Sequence, residues 1–370
     1  MNVERNMTKM ARTARPKRKA QKELTAVEAK AAAQRIAFGP MVFQACWIMQ
    51  RKGLFDALAQ AGTKGLTREE LARTSGLSPY AVMVLTDMAL TADVLAMKDG
   101  RMVLTKTGVM LAFDDMTRVN MDFTGDVCYA GLAHLEEALV EGRPAGLKVF
   151  GDWPTVYQGL AHLPPHVRSS WFHFDHYYSD HSFPPALEIV FRDHPKVVMD
   201  VGGNTGKWAL SCLRHDPNVR MLVVDLPGQL REVERNVKAA GFGDRLTTVA
   251  ADMLDPTSTL PEGADAIWMS QFLDCFGEDE IVAILRKARA VMRPGMPLYI
   301  METFIDRQRF EAAAFSLAAT SLYFTATANG NSRMYRAEHF APLVAAAGLR
   351  VVKEHDDVGQ GHSIWRCELP

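Results

Sequence analysis

The sequence predicts an α/β protein in which an open, mostly parallel sheet follows an α-helical domain. Three observations predict it. The second half carries five short apolar runs, each followed within a few residues by an acid. One of these runs passes through a glycine turn, Asp200-Val-Gly202-Gly203-Asn-Thr-Gly206, of the kind that joins a buried strand to a helix. Between about Phe43 and Ala112 the pattern changes to short capped helices and one tight hairpin.

Each element has a local reason. In the first domain, Thr67-Arg68-Glu69-Glu70 is a capping box opening a short helix that Gly76 closes, and Ser78-Pro79 starts the next, Pro79 to Leu90. Lys98-Asp99-Gly100 joins Val94 to Met97 with Arg101 to Leu104 as a two-stranded wing. Further on, Val197 to Met199 is β-branched and bounded by Pro195 and the glycines, as a central strand would be. The other predicted strands are Arg220 to Val224, Leu246 to Ala250, Ala264 to Phe272 and Pro297 to Ile300. Arg350 to Lys353 and Ser363 to Glu368 read as an antiparallel pair finishing the sheet.

Composition bounds the function classes. The 370 residues are 48% apolar and 23% charged with a formal net charge of -1, so charge implies no nucleic-acid or membrane partner. No stretch has the length and apolarity of a transmembrane helix, and the N-terminus lacks the apolar core of a secretion signal. Five scattered cysteines without Cys-x-x-Cys spacing read as reduced thiols, and the expected location is cytoplasmic. Arg5 to Lys22 holds eight basic residues and no acid, and reads as part of a solvated, disordered tail, 1–34. The expected organisation continues with a winged-helix-like domain (35–115), a helical linker and lid (116–190) and a cofactor-binding domain (191–370).

The candidate site lies where the strands end. Gly202, Gly203 and Gly206 let a ligand approach the backbone, and Asp200 precedes the adjacent glycines by two. A dinucleotide fingerprint would read Gly-x-Gly-x-x-Gly instead. Asp225, in Asp225-Leu226-Pro227, stands about 20 residues past the glycines, where a ribose diol is held. Asp252-Met253 offers an adenine a carboxylate acceptor and an apolar wall, and Asp274 and Glu302 close the series. Trp171 to Phe183 is the densest aromatic and histidine cluster. It reads as an aromatic lid with Trp171, His176, Tyr178 and Asp180 toward the acceptor, facing Phe324 and Asn331 in the segment Leu317 to Met334. His173, His176 and His181 lack further ligands at metal spacing, so no metal is expected.

The pattern Asp-x-Gly-Gly-x-x-Gly resembles S-adenosylmethionine-dependent methyltransferases. From about Phe43 to Leu369 the chain resembles the caffeate- and antibiotic-type small-molecule O-methyltransferases, whose subunits pair through an N-terminal winged helix. The marks are Gly53-Leu54-Phe55-Asp56-Ala57-Leu58, Leu104-Thr105-Lys106-Thr107-Gly108, the glycine turn, Asp225-Leu226-Pro227, Asp252-Met253 and Ala346-Ala347-Gly348-Leu349. The resemblance implies a class I Rossmann-like sheet, a homodimer, and S-adenosylmethionine held by Gly203, Asp225, Leu226, Asp252 and Met253. Ser270, followed by Gln271, stands where the family often has a lysine beside the cofactor.

The departures bear on the chemistry. The family's Leu-His-Asp-Trp, with its histidine base, is matched by Leu273-Asp274-Cys275-Phe276, which puts Asp274 at the base position. Glu302 matches the first histidine-orienting glutamate, and the second falls near Ser332. Asp274 reads as a tuned base, as a group that positions the acceptor, or as structural. The expected reaction is methyl transfer to a small electron-rich aromatic or enolic acceptor, at ring carbon or oxygen, with carbon favoured. The alternative is a ligand-responsive DNA-binding regulator, since winged helices often read DNA. Against it, Pro79 to Leu90 has no basic residue to face phosphate and instead suits another apolar surface.

Overall fold

The computed structural model describes residues 23–370, and the basic run Arg5 to Lys22 lies outside them. Thr25 and Glu28 form a reciprocal capping box that opens a helix at Ala26–Ala37. Residues 26–34, expected within a disordered tail, are therefore helical. The chain divides after Ala112 into two units.

In the first unit, helices span Gly39–Arg51, Leu54–Ala61, Arg68–Ser75 and Pro79–Thr91. Strands β1 (Leu95–Lys98) and β2 (Arg101–Leu104) pair antiparallel. Asp99 and Gly100 both have positive φ, 49° and 73°, which is the backbone a two-residue type I′ hairpin requires. Thr67 Oγ1 accepts the Glu70 N–H at 3.2 Å while Glu70 Oε2 accepts the Thr67 N–H at 2.8 Å. Val82, Thr86 and Ala89 bury one face of the Pro79–Thr91 helix, while Tyr80, Met83 and Val84 stay exposed.

The second unit holds β3 (Val197–Val201), β4 (Arg220–Asp225), β5 (Leu246–Ala250), β6 (Ala266–Ser270), β7 (Leu298–Glu302), β8 (Arg350–Val358) and β9 (His362–Glu368). They form one sheet in the order β5-β4-β3-β6-β7-β9-β8. The first five are parallel, and β9 and β8 are antiparallel, as expected for the closing pair. Because β3 bonds to both β4 and β6, the winding reverses there. Open α/β sheets bind ligands outside the strand ends at such a point.

Alternation along the strands sends side chains to two cores. Met199, Val201, Ile267 and Ile300 pack with Ile281, Leu285 and Phe340 on one face. Val198, Val223, Trp268 and Met301 pack with Trp208, Leu213 and Val233 on the other. Ahead of β3 runs a long helix, Pro165–Val190. Its Val167, Trp171 and Phe174 join a third cluster with Phe123, Tyr323, Phe324 and Met334. Phe123–Cys128 and Phe324–Ala328 are single π-helical turns, and each begins with an aromatic that turns toward the site.

Among the described residues, no helix is long and apolar enough to cross a membrane, and no group of three His, Cys, Asp or Glu is disposed to hold a metal.

Candidate functional site

The glycine turn leaves β3 so tightly that side chains would collide. A Cβ on Gly202, whose φ is +81°, would lie 2.3 Å from the Phe272 ring, and one on Gly203 would lie 2.4 Å from Val223 Cγ1. Asn204, also at positive φ, donates its backbone N–H to Asp225 Oδ2 at 2.8 Å. The Leu226 N–H donates to Asp225 Oδ1 at 2.7 Å. Two donors thus fix the carboxylate's orientation. Each oxygen keeps a lone pair for a ligand hydroxyl. Burial still pushes Asp225 up to about 6, and these hydrogen bonds only partly oppose it.

A cavity of about 260 Å³ opens along the carboxyl ends of β3, β4, β5 and β6. Asp225, Leu226, Asp252 and Met253 line it on the β4–β5 side. Asp252 is exposed and accepts the Leu254 N–H at 2.9 Å, and Met253 is buried beside it. The rest of the wall comes from the aromatic cluster: Phe123, Tyr157, Trp171, Phe174, Tyr323 and Phe324. Trp171 Nε1 donates to Tyr323 Oη at 2.8 Å, and the Phe123 and Phe174 rings stack with centroids 3.9 Å apart.

A smaller pocket of about 60 Å³ adjoins behind the turn, lined by His176, Asp200, Gly203, Lys207, Trp208, Trp268 and Ser270, with Asp175, Gly202, Asn204 and Gln271 shared between the two. Asp200 Oδ2, Asn204 Oδ1, Gln271 Oε1 and both indole Nε1 atoms are buried without a hydrogen-bond partner. Trp208 and Trp268 stack here with centroids 4.1 Å apart. Asp200 is raised to about 8 by burial and then by the charge of Asp225, while Asp175 is raised to about 7 by burial and then by Asp274. This is a set of acids that a bound cation would hold ionised. Burial lowers His176 to about 4, so it is neutral near pH 7.

The loop after β6 carries Asp274, which is 6% exposed and lines the large cavity. Gln271 turns with a φ of +46°, and its N–H donates to Met301 O at 2.9 Å. Glu302 Oε1 accepts the N–H groups of Phe272 (3.1 Å) and Leu273 (2.9 Å). On the far side, Asn329 Nδ2 donates to Cys275 O, and Ser332 holds Asn329 Oδ1 through its N–H (3.2 Å) and Oγ (2.8 Å). Tyr335 Oη donates to Phe276 O at 2.7 Å. Asp274 is raised to about 6 by burial, opposed by the Cys275 thiol 3.6 Å from Oδ1 and by a backbone N–H. Glu302 is raised further, by burial first and then by the Asp274 charge.

Several expected site residues stand elsewhere. Tyr178 donates to Asn120 Oδ1 at 2.9 Å, Asp180 pairs with Lys207 at 2.6 Å, and neither lines the cavity. His176 Nε2 instead lies 3.3 Å from Thr205 Oγ1, at the small pocket. Gly206 caps the helix Lys207–His215 and packs toward Val233, away from both pockets. Glu302 supports the loop backbone without lining the cavity. Trp171, Phe324 and Asn331 do line it. Tyr323, expected in the wall segment Leu317 to Met334, lines the cavity, whereas sequence reasoning missed Asp175, Asn204, Tyr157 and Asn329. Asn204, inside the glycine turn, was the most accessible of these, because asparagine tolerates positive φ.

Comparison with known proteins finds two domain matches along the chain. Residues 30–102 match a Dimerisation2-like domain, and residues 187–350 match an O-methyltransferase domain. Over 318 residues the chain is 24% identical to an L-tyrosine C(3)-methyltransferase of Streptomyces lavendulae, covering 85% of each. Over 267 residues it is 27% identical to a 3-amino-4-hydroxybenzoate 4-O-methyltransferase of Streptomyces cremeus, covering 71% of each. Among solved structures it is similar to the S-adenosylmethionine-dependent methyltransferase SibL in its apo form, with a TM-score of 0.70 and 25% identity, over 92% of this chain and 99% of that one.

Proposed function

This chain is an S-adenosylmethionine-dependent methyltransferase with an N-terminal dimerisation domain, and on that premise we propose that it works in the cytoplasm as a homodimer that methylates a small, electron-rich aromatic or enolic metabolite. The observation that carries the reading is the joining of two chemistries in one cavity: fixed acids at the ends of β4 and β5, and an aromatic chamber containing Asp274.

The residues fit the cofactor. Asp225 is oriented to accept a ribose diol, Asp252 and Met253 would hold the adenine, and Gly202 and Gly203 would admit backbone approach. The small pocket, where unpartnered acceptors and indole donors meet beside Gly203, Ser270 and Gln271, suits an amino-acid tail. When bound, S-adenosylmethionine supplies an electrophilic methyl on a sulfonium.

The chain's own part is to orient the acceptor between the aromatic walls, exclude water and move one proton. Asp274 is the proton acceptor in this reading, because burial lifts it toward the working pH. Glu302 and the Asn329–Ser332 pair act through it, by fixing the loop. Attack by a ring carbon is favoured, since the acidified ring proton needs only a weak base afterwards. Oxygen attack is supported by the match to the O-methyltransferase domain and by relatives with each outcome in their names.

The apolar, exposed face of Pro79–Thr91, which lacks any basic residue, supports pairing with another apolar surface over binding of DNA. Mass spectrometry with methyl-labelled cofactor and a panel of phenols, followed by NMR of the product, tests the reaction. Labelled product carrying methyl on neither carbon nor oxygen overturns it.

A further inference from the structure

The cavity wall holds five acids, Asp175, Asp225, Asp252, Asp274 and Glu280, and among the described residues no lysine, arginine or histidine. Given the methyltransferase reading of the same cavity, Asp225 and Asp252 are taken up by the cofactor. Asp175, Asp274 and Glu280 remain for the acceptor.

The wall's hydrogen-bonding capacity points the same way. Glu280 is held by the Gly277 N–H at 2.7 Å and Asn331 Nδ2 at 3.2 Å, and it forms no ion pair among the described residues. Asp175 accepts the Asn204 amide at 3.0 Å, with His176 Nε2 3.9 Å away and Lys207 partly opposing the rise in its pKa from the small-pocket side. Phe123, Phe174 and Tyr323 are largely buried around these acids, so charges in the chamber are weakly screened. An ammonium would bring up to three donors and a compensating charge. A carboxylate would bring no donor and a like charge.

We propose that the acceptor is an aromatic carrying a basic amino group and no free carboxylate, its positive charge selected by Asp175, Asp274 and Glu280. This deepens the methyltransferase reading and depends on it. Among the described residues no cation lines this wall to balance an acidic acceptor, whereas the charge of an aromatic amine offsets what the fold has concentrated there.

Matched acceptors differing only in the charged arm test it: tyramine against 3-(4-hydroxyphenyl)propionate, and dopamine against its carboxylate counterpart. Their binding to the protein preloaded with S-adenosylhomocysteine is measured by calorimetry, and their turnover with labelled cofactor. The amines are expected to bind and react at least about tenfold better. Asn331→Lys, which places a cation beside Glu280, is expected to shrink that preference to about threefold or reverse it. Failure to bind S-adenosylhomocysteine overturns the methyltransferase reading itself. If S-adenosylhomocysteine binds normally but the pairs show no preference, or neither member binds, or Asn331→Lys leaves the ratio unchanged, the charge selection is overturned and the enzyme class stands.

Discussion

Replacing Asp225 by alanine removes a carboxylate whose position is set by two backbone donors, at 2.8 and 2.7 Å. In the free protein its pKa is about 6 against an ordinary 3.8, so holding it ionised in this pocket costs about 3 kcal/mol, at about 1.4 kcal/mol per pH unit. Because the folded value is raised, the stabilising contribution is fully present below 3.8 and is lost as pH rises through 6. Alanine should therefore raise the melting temperature of the free protein at pH 8 more than at pH 4. Cofactor binding should respond in the opposite sense. A ribose diol bonded to a charged acceptor is worth about 1.5–3 kcal/mol, so Asp225→Ala should weaken S-adenosylhomocysteine about 10- to 150-fold at pH 8. At pH 5, about a tenth of Asp225 is ionised, and the parent's affinity should fall about tenfold from its plateau through this group. Asp175 titrates in both proteins, and Asp200 falls once the Asp225 charge is gone, so calorimetry from pH 5 to 8 on the pair reads Asp225 together with its effect on Asp200. Affinities within threefold at pH 8, with identical pH dependence, would refute the assignment of the diol to this carboxylate.

Asp274→Asn should keep cofactor affinity and lower turnover by about a hundredfold or more. The parent's rate should rise with pH through about 6 as Asp274 ionises, and unchanged turnover in the variant would leave Asp274 a structural role. Gly203→Ala places a Cβ 2.4 Å from Val223 Cγ1 and 3.2 Å from Asp200 Oδ2, and should cost about 1–3 kcal/mol in urea unfolding as well as cofactor binding. Light scattering should give a dimer, and a monomer would remove the pairing role of the first unit. The protein should not retard duplex DNA at moderate salt. Retention that persists after removal of residues 1–22 would restore the regulator reading.

The sheet was largely legible because its strands are buried on both faces and read as short β-branched runs bounded by glycine, proline or acids. Most strand ends moved by at most two residues, but β8 runs to Val358, five beyond the expected Lys353, where its polar exposed residues hide the strand pattern. Asp225, Leu226, Asp252 and Met253 were visible because they follow their strands directly. The lid failed for a geometric reason. On the helix Pro165–Val190, Trp171, Phe174 and Asp175 share the cavity face at spacings of three and four. Asp180, five residues past Asp175, is rotated well off that face, and Tyr178 lies about 10 Å along the axis from Trp171. Tyr157 and Asn329 reach the site from distant segments, joined only by tertiary packing.

The stacked indoles of Trp208 and Trp268, 4.1 Å apart at the wall of the small pocket, give the molecule a built-in optical signal. Two of its six tryptophans form a coupled chromophore lining the space assigned to the cofactor's amino-acid end, and both indole N–H groups are buried without a partner. Such a pair should give a strong near-ultraviolet dichroism band and an emission that shifts when a polar ligand engages either indole. Trp171, Trp153, Trp47 and Trp365 provide the background against which that change is read. Occupancy of the pocket is thus open to stopped-flow observation without any label, and Trp208→Phe should silence it.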